Sequence, residues 1–192
     1  MEGYGLEKVH EANLKILDEV DRICKKYRIR YMLDAGTLLG AVRHKGFIPW
    51  DDDVDIIFTR SQYEAFMKVA ARELPDTMEV MDYRTLHGGK GFYDFTSRIL
   101  YLPSKKHENG PEMEFYGGKL NHLWVDLFVL DELPDSGWAA SAVRLFQTLL
   151  YGLAMGHRYR LDFSKYQGKE LAAVKFLSAV GKCLPMKGIF AL

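Results

Sequence analysis

Carboxylates at alternate positions, Asp51, Asp53 and Asp55, run directly into the β-branched, apolar stretch Val54 to Phe58. Successive side chains of a strand point to opposite faces, so this spacing predicts three acids on one face and Asp52, Val54 and Ile56 on the other. Side chains two apart lie about 6.6 Å from each other, and at an effective dielectric of about 20 two such charges repel by about 2.5 kcal/mol. Water and protonation relieve that repulsion at an exposed turn, but a strand entering the core needs another compensator. A hard divalent cation with oxygen ligands, Mg²⁺ or Mn²⁺, supplies it and leaves positions for water and substrate phosphate. An acidic strand edge that only aids solubility has the same spacing, and spacing alone does not separate the two.

The residues upstream favour the cation. Gly36-Thr37-Leu38-Leu39-Gly40 follows the short apolar strand Tyr31-Met32-Leu33 and precedes an expected short helix from Leu38 to Arg43. A glycine turn opening a helix presents backbone N–H groups and the positive end of the helix dipole, which suits a phosphate. Arg43, His44 and Lys45 place three cationic side chains between that cradle and the acids. They serve equally as a basic helix C-terminus that complements the dipole.

The run GTLLGAVRHKGFIPWDDDVDI, Gly36 to Ile56, closely resembles the signature of the LicD family, which includes the fukutin-related proteins. The preceding Ile23 to Ile29 and the following Arg60 to Phe66 are similar to that family too, so the resemblance covers about residues 10 to 70 and extends to 120 to 133. It implies an α+β fold with a nucleotidyltransferase-like core, a small mixed sheet flanked by helices. In such folds a glycine turn precedes a strand bearing D-x-D, and a third carboxylate comes from another strand. Asp53 and Asp55 match the pair. For the third, Asp126 stands in the middle of the apolar run Leu123 to Leu130, where a lone carboxylate is costly to bury unless paired or metal-bound.

The resemblance further implies a reaction. A phospho-alcohol, commonly phosphocholine, would pass from a CDP-linked donor to a sugar hydroxyl of a cell-surface glycan such as a teichoic acid or lipopolysaccharide, or of its lipid-linked precursor. On that reading Asp53, Asp55 and Asp126 are catalytic, Asp51, Asp53, Asp55 and Asp126 surround Mg²⁺, and Gly36, Thr37, Leu38, Gly40, Arg43, His44 and Arg98 bind the donor. Asp126 or Asp51 would orient or deprotonate the acceptor hydroxyl. Arg98 shares an alternating face with Asp94 and Thr96 and reaches a donor phosphate or decorates a solvent face. Trp50 stacks on a base or choline, or packs at the turn after Pro49; Tyr83 and His87 flank the glycine-containing loop Gly88 to Gly91. Transfer of a nucleoside monophosphate to a small molecule, or nucleotide binding without catalysis, uses the same motif.

The chain's 192 residues, nearly half hydrophobic, suit one domain over 1–192, and its zero formal net charge provides no global field for nucleic acid. Charge is nonetheless uneven: residues 138–192 carry eight Lys or Arg against Asp162 and Glu170, a surplus of +6. This basic segment is also apolar, without the roughly 20-residue run of a spanning helix. It reads either as a peripheral contact with an anionic membrane or as two amphipathic helices packing on the sheet. The scarce cysteines, Cys24 and Cys183, and the start Met1 to Gly5, which lacks a basic and apolar leader, lead to the expectation of a cytoplasmic protein, if not one at the inner face of the membrane. LicD-like chains usually run longer than one ending at Leu192, so a C-terminally truncated core or a short member is expected.

Periodicity predicts a helix from Leu6 to Tyr27 with Val9, Leu14, Leu17, Val20, Ile23 or Cys24, and Tyr27 on its apolar stripe. A capping box at Ser61-Gln62-Tyr63-Glu64 predicts a second helix to Leu74. Strands are expected at Tyr31 to Leu33, Val54 to Phe58, Met78 to Met81, Tyr93 to Tyr101 and Leu123 to Leu130, with a hairpin arm at Glu112 to Gly118. Helices are expected from Trp138 to about Gly156 and from Lys169 to Gly181.

Overall fold

The computed structural model describes residues 5–105 and 110–189. The first four residues, read above for a leader, and the closing Phe190 to Leu192 lie outside that range. Two compact units are distinguished. The first comprises Met1–Met81, Thr96–Met113 and Gly118–Asp131; the second comprises Asp82–Phe95, Glu114–Gly117 and Glu132–Leu192.

The first unit is α+β, as expected. Helix α1 (Glu7–Tyr27), strand β1 (Met32–Leu33), helix α2 (Ala35–Arg43), β2 (Asp55–Thr59), α3 (Arg60–Glu73), β3 (Met78–Met81), β4 (Ser97–Tyr101) and β5 (Leu123–Leu130) form it. The five strands make one mixed sheet in the order β1-β2-β5-β4-β3. Only β2 and β5 run parallel, and they sit centrally. Ile16, Val20 and Ile23 of α1 and Phe66 and Ala70 of α3 share one core with Ile56, Phe58, Ile99, Val125 and Leu127 of the sheet.

The stripe that α1 buries keeps the expected Val20, Ile23 and Cys24, with Leu17 and Tyr27 packed against the core, and departs from expectation at Leu14. Ala12, Asn13, Ile16, Val20, Ile23 and Cys24 are buried, whereas Leu14 is exposed. Helix α3 begins at Arg60, straight out of β2, with Thr59 as an extended N-cap that makes no side-chain cap bond. The Ser61 capping box is therefore not the start: Gln62 Oε1 instead accepts the backbone N–H of Arg30. At the other end of α3, Glu73 accepts bonds from Lys26 Nζ and Tyr27 Oη of α1, which hold its carboxyl down at about 2. A carboxyl depressed in the folded state stabilises above its unfolded value and loses that contribution as pH falls through the folded one. Glu73→Gln should flatten the acid limb of a stability–pH curve between about 4.5 and 2, measured by urea unfolding.

Two predicted elements differ. Strand β4 starts at Ser97, not Tyr93, because pairing begins at Ser97 opposite Leu127 while the Tyr93 and Phe95 rings pack with Tyr116 and Tyr83 in the second unit. Residues 112 to 118 form no hairpin: a short helix α4 (Pro111–Phe115), with proline at its first position, ends at Gly117 and Gly118, both with positive φ.

The second unit contains α5 (Gly137–Ala154), α6 (Gly168–Lys182) and α7 (Met186–Ile189). Phe92, Ala154, Met155, Met186 and Ile189 form its core. Glycines let α5 and α6 approach closely: a Cβ at Gly181 would stand 1.9 Å from the Leu153 carbonyl oxygen. Among the described residues no helix is long and apolar enough to cross a membrane.

Candidate functional site

The site is built on the parallel pair. Register sets Asp55 of β2 beside Asp126 of β5, and Asp126 beside Arg98 of β4, so three ionisable side chains form a row across the central strands. Arg98 Nε lies 2.8 Å from Asp126 Oδ1, and Trp124 Nε1 donates to Asp126 Oδ2 at 3.0 Å. The Arg98 guanidinium also stands 5.1 Å above the Trp124 ring. Arg98 is thus buried, not a solvent-face decoration. The expected cost of placing a carboxylate at position 126 is met by an ion pair within the sheet.

The alternating acids do not share a strand. Asp51 closes a turn by donating its N–H to the Ile48 carbonyl, residues 51–54 are loop, and β2 begins only at Asp55. The physical reason is Pro49-Trp50 just ahead, where the chain turns before it can enter the sheet. The acids still crowd one another. Burial, then a hydrogen bond with Asp53 and the charges of Asp53 and Asp52, push the Asp51 carboxyl up. Burial and the charges of Asp53, Asp126, Asp34 and Asp51 push Asp55 up to about 6.

Helix α2 begins earlier than Leu38, with Asp34 as extended N-cap, and its first turn takes in Gly36 and Thr37. Thr37 Oγ1 accepts the Asp55 N–H at 2.9 Å, tying this turn to the start of β2. A Cβ at Gly36 would stand 2.5 Å from Asp51 Oδ2, so the missing side chain leaves room for that carboxylate against the helix start. Gly40 has a packing reason: a Cβ there would meet the Gly46 carbonyl oxygen at 2.7 Å and Ile48 N at 3.0 Å. Leu38 is exposed, and Arg43 Nε donates to His44 Nδ1. His44 in turn meets the exposed Trp50 edge-on. Tyr83 and His87 belong to the second unit, where His87 stacks on Phe115 and bonds its carbonyl. Asp131, at the end of β5, is taken by Arg60.

Two residues that motif reading passes over hold the acidic loop in place. His10 Nε2 donates to the Asp51 carbonyl at 2.7 Å while its ring stacks on Phe47 at 4.4 Å. Asn13 Nδ2, on a fully buried residue, donates to the Asp52 carbonyl. The signal that would have found Asn13 is a polar residue inside the buried stripe of α1, once the phase of that stripe is known. His10→Phe keeps the ring stack and loses the donor. It is expected to speed amide exchange over residues 51–55 by about tenfold while α3 is unchanged, read by hydrogen–deuterium exchange mass spectrometry.

The donor chemistry suits a hard cation: the acids are oxygen donors, and burial with the neighbouring carboxylates raises Asp51 and Asp55 above the ordinary carboxylate value. Among the described residues, however, no three His, Cys, Asp or Glu side chains converge as a ready-made centre. Asp51 to Val54 is loop, and Asp126 is held in its pair with Arg98.

Acids on neighbouring central strands beside a helix N-terminus define a nucleotidyltransferase-type core. The chain belongs to the LicD family: the family model for the LicD/FKTN/FKRP nucleotidyltransferase domain matches residues 28–179. It is 32% identical over 164 residues to the lipopolysaccharide cholinephosphotransferase LicD of Haemophilus influenzae, a match covering 83% of this chain and 54% of that protein. An uncharacterised protein of Rickettsia typhi is 48% identical over 50 residues, 26% of this chain and 16% of that protein. One of Rickettsia prowazekii is 48% identical over 42 residues, 22% of this chain and 16% of that protein. The chain therefore spans about half the length of the cholinephosphotransferase it matches, and less of the other two.

Proposed function

We propose that this chain is the catalytic core of a transferase that moves a phospho-alcohol, phosphocholine first among them, from a CDP-linked donor to a sugar hydroxyl of a cell-surface glycan or its lipid-linked precursor. The observation that carries the reading is the row Asp55–Asp126–Arg98 beside the α2 N-terminus, which sets acids for a cation next to groups for a phosphate. The relative named for cholinephosphotransfer supports the choice of phosphocholine.

On this reading Asp53 and Asp55, with Asp51 beside them, hold Mg²⁺ or Mn²⁺, which when bound offsets charge on the donor pyrophosphate. The N–H groups of α2's first turn and the Arg43 and His44 side chains bind donor phosphate oxygens. Arg98, fixed by Asp126 and Trp124, contributes a positive charge from the sheet. The acceptor hydroxyl oxygen attacks the phosphorus of the phosphocholine half, the bond from that phosphorus to the bridging oxygen breaks, and CMP leaves with the electron pair. The ionised Asp51 carboxylate, whose proton affinity its surroundings raise, takes the hydroxyl proton.

The family description, a nucleotidyltransferase domain, favours one second reading, transfer of a nucleoside monophosphate with loss of pyrophosphate. Product analysis with labelled CDP-choline, CTP and a glycan acceptor separates the two. CMP with labelled acceptor supports phospho-alcohol transfer, whereas pyrophosphate released from CTP with no use of CDP-choline rejects it.

A further inference from the structure

Helix α5 has 18 residues and a single charged one, Arg144. In a helix with one packed side, its large apolar residues belong on that side. Here they are divided between the packed side and an outward one. Trp138 is 79% exposed and Leu145 61%, and Phe146 and Leu149 are exposed as well. Trp138, Ala142, Leu145 and Leu149 follow helical spacing and form one outward stripe, while Gly152 and Ala154 are buried and Leu150, Tyr151 and Leu153 pack against the core of the unit.

Helix α6, packed on α5 within the same unit, repeats the arrangement. Its packed side carries Leu171, Val174 and Leu177 with the buried Ser178 and Gly181, while Phe176 is 68% exposed and Ala172, Ala173, Ala179 and Val180 lie exposed at helical spacing around it. Lys169, Lys175 and Lys182 are exposed beside that stripe, as Arg144 is on α5. Residues 138–192 carry a surplus of +6. Each helix therefore packs apolar residues inward and leaves a second set of apolar residues facing out.

We propose that α5 and α6 form a docking surface for an anionic lipid bilayer, lying in its interface with the apolar stripes in the acyl boundary and the lysines at the headgroups. Charge complementarity selects this occupant over a second copy of the chain, whose equally basic helices would repel. Among the described residues no helix is long and apolar enough to span, which leaves the interfacial position. Apolar insertion and basic attraction are each weak alone and sufficient together.

The test is flotation of the full chain with vesicles of pure phosphatidylcholine and with vesicles containing equal parts phosphatidylcholine and phosphatidylglycerol. The chain should float with the anionic vesicles and stay behind with the neutral ones, and high salt should release it. Leu145→Glu, at an exposed position that leaves the core intact, should weaken partition by about tenfold or more, and Lys175→Glu with Lys182→Glu by a similar factor at low salt. Brominated lipid should quench the indole of Trp138, and Trp138→Phe should remove that quenching. Failure to float with the anionic vesicles overturns the proposal, as does flotation that neither Leu145→Glu nor the lysine reversals reduce. A concentration-dependent dimer that Leu145→Glu dissociates, without vesicle binding, assigns the surface to a second copy and also overturns it.

Discussion

Asp55→Asn should lose turnover on the order of a thousandfold and yet unfold at higher urea concentration than the unaltered protein when no divalent cation is present. The activity loss follows from its position, opposite Asp126 on the parallel pair and tied through its N–H to Thr37. The gain in stability follows from its environment. Burial and four neighbouring carboxylates raise its folded value to about 6 from 3.8, so the folded protein binds a proton there that the unfolded chain releases. Stability therefore falls as pH rises from about 4 to about 6 and stays lower above that. Because the group is only half-buried and water screens it, the expected gain at neutral pH is about 1 kcal/mol. Asparagine cannot ionise, so the variant should also lack this slope. Urea unfolding at several pH values, with chelator, checks both. A variant less stable than the parent at neutral pH contradicts the crowding of acids as described.

Arg98→Met should strongly destabilise the first unit. Side-chain exposure is 8% for Arg98 and 14% for Asp126, so removing the guanidinium takes away the positive charge beside a carboxylate that is largely buried in the sheet. Breaking such a pair costs about 3–5 kcal/mol, much of it from the stranded charge. The double variant Arg98→Met with Asp126→Leu removes both charges and should recover a large part of that loss. If the double variant is no more stable than Arg98→Met alone, the ion pair is not the source of the effect. A double-mutant cycle from chemical unfolding reads the coupling directly.

These expectations mark where sequence was legible. The apolar run around Asp126 discloses a strand because its length and β-branched character are local properties. Its ion-pair partner is not local: Arg98 meets Asp126 only through the antiparallel register of β4 on β5. The acids at 51, 53 and 55 are legible as a cluster, and their mutual effect on Asp55 is physical. That they do not share a strand is not legible, because the turn that Asp51 closes on Ile48 depends on the preceding Pro49-Trp50. Gly40 is another instance. Its place in a phosphate-like motif suggests a ligand, while its surroundings show the backbone of Gly46 and Ile48 against it. His10 and Asn13 carry no motif, since what they bind is the backbone of a distant loop whose position only the packed core sets.

The central claim is that the acids and the α2 N-terminus together hold the pyrophosphate of a CDP-linked alcohol through a divalent cation. Calorimetric titration of CDP-choline and of CTP into the full chain, each with and without Mg²⁺, tests it most directly. The account predicts heat of binding for CDP-choline that requires Mg²⁺ and is lost in Asp53→Asn. Binding that is indifferent to Mg²⁺, or preference for CTP over CDP-choline, would contradict it.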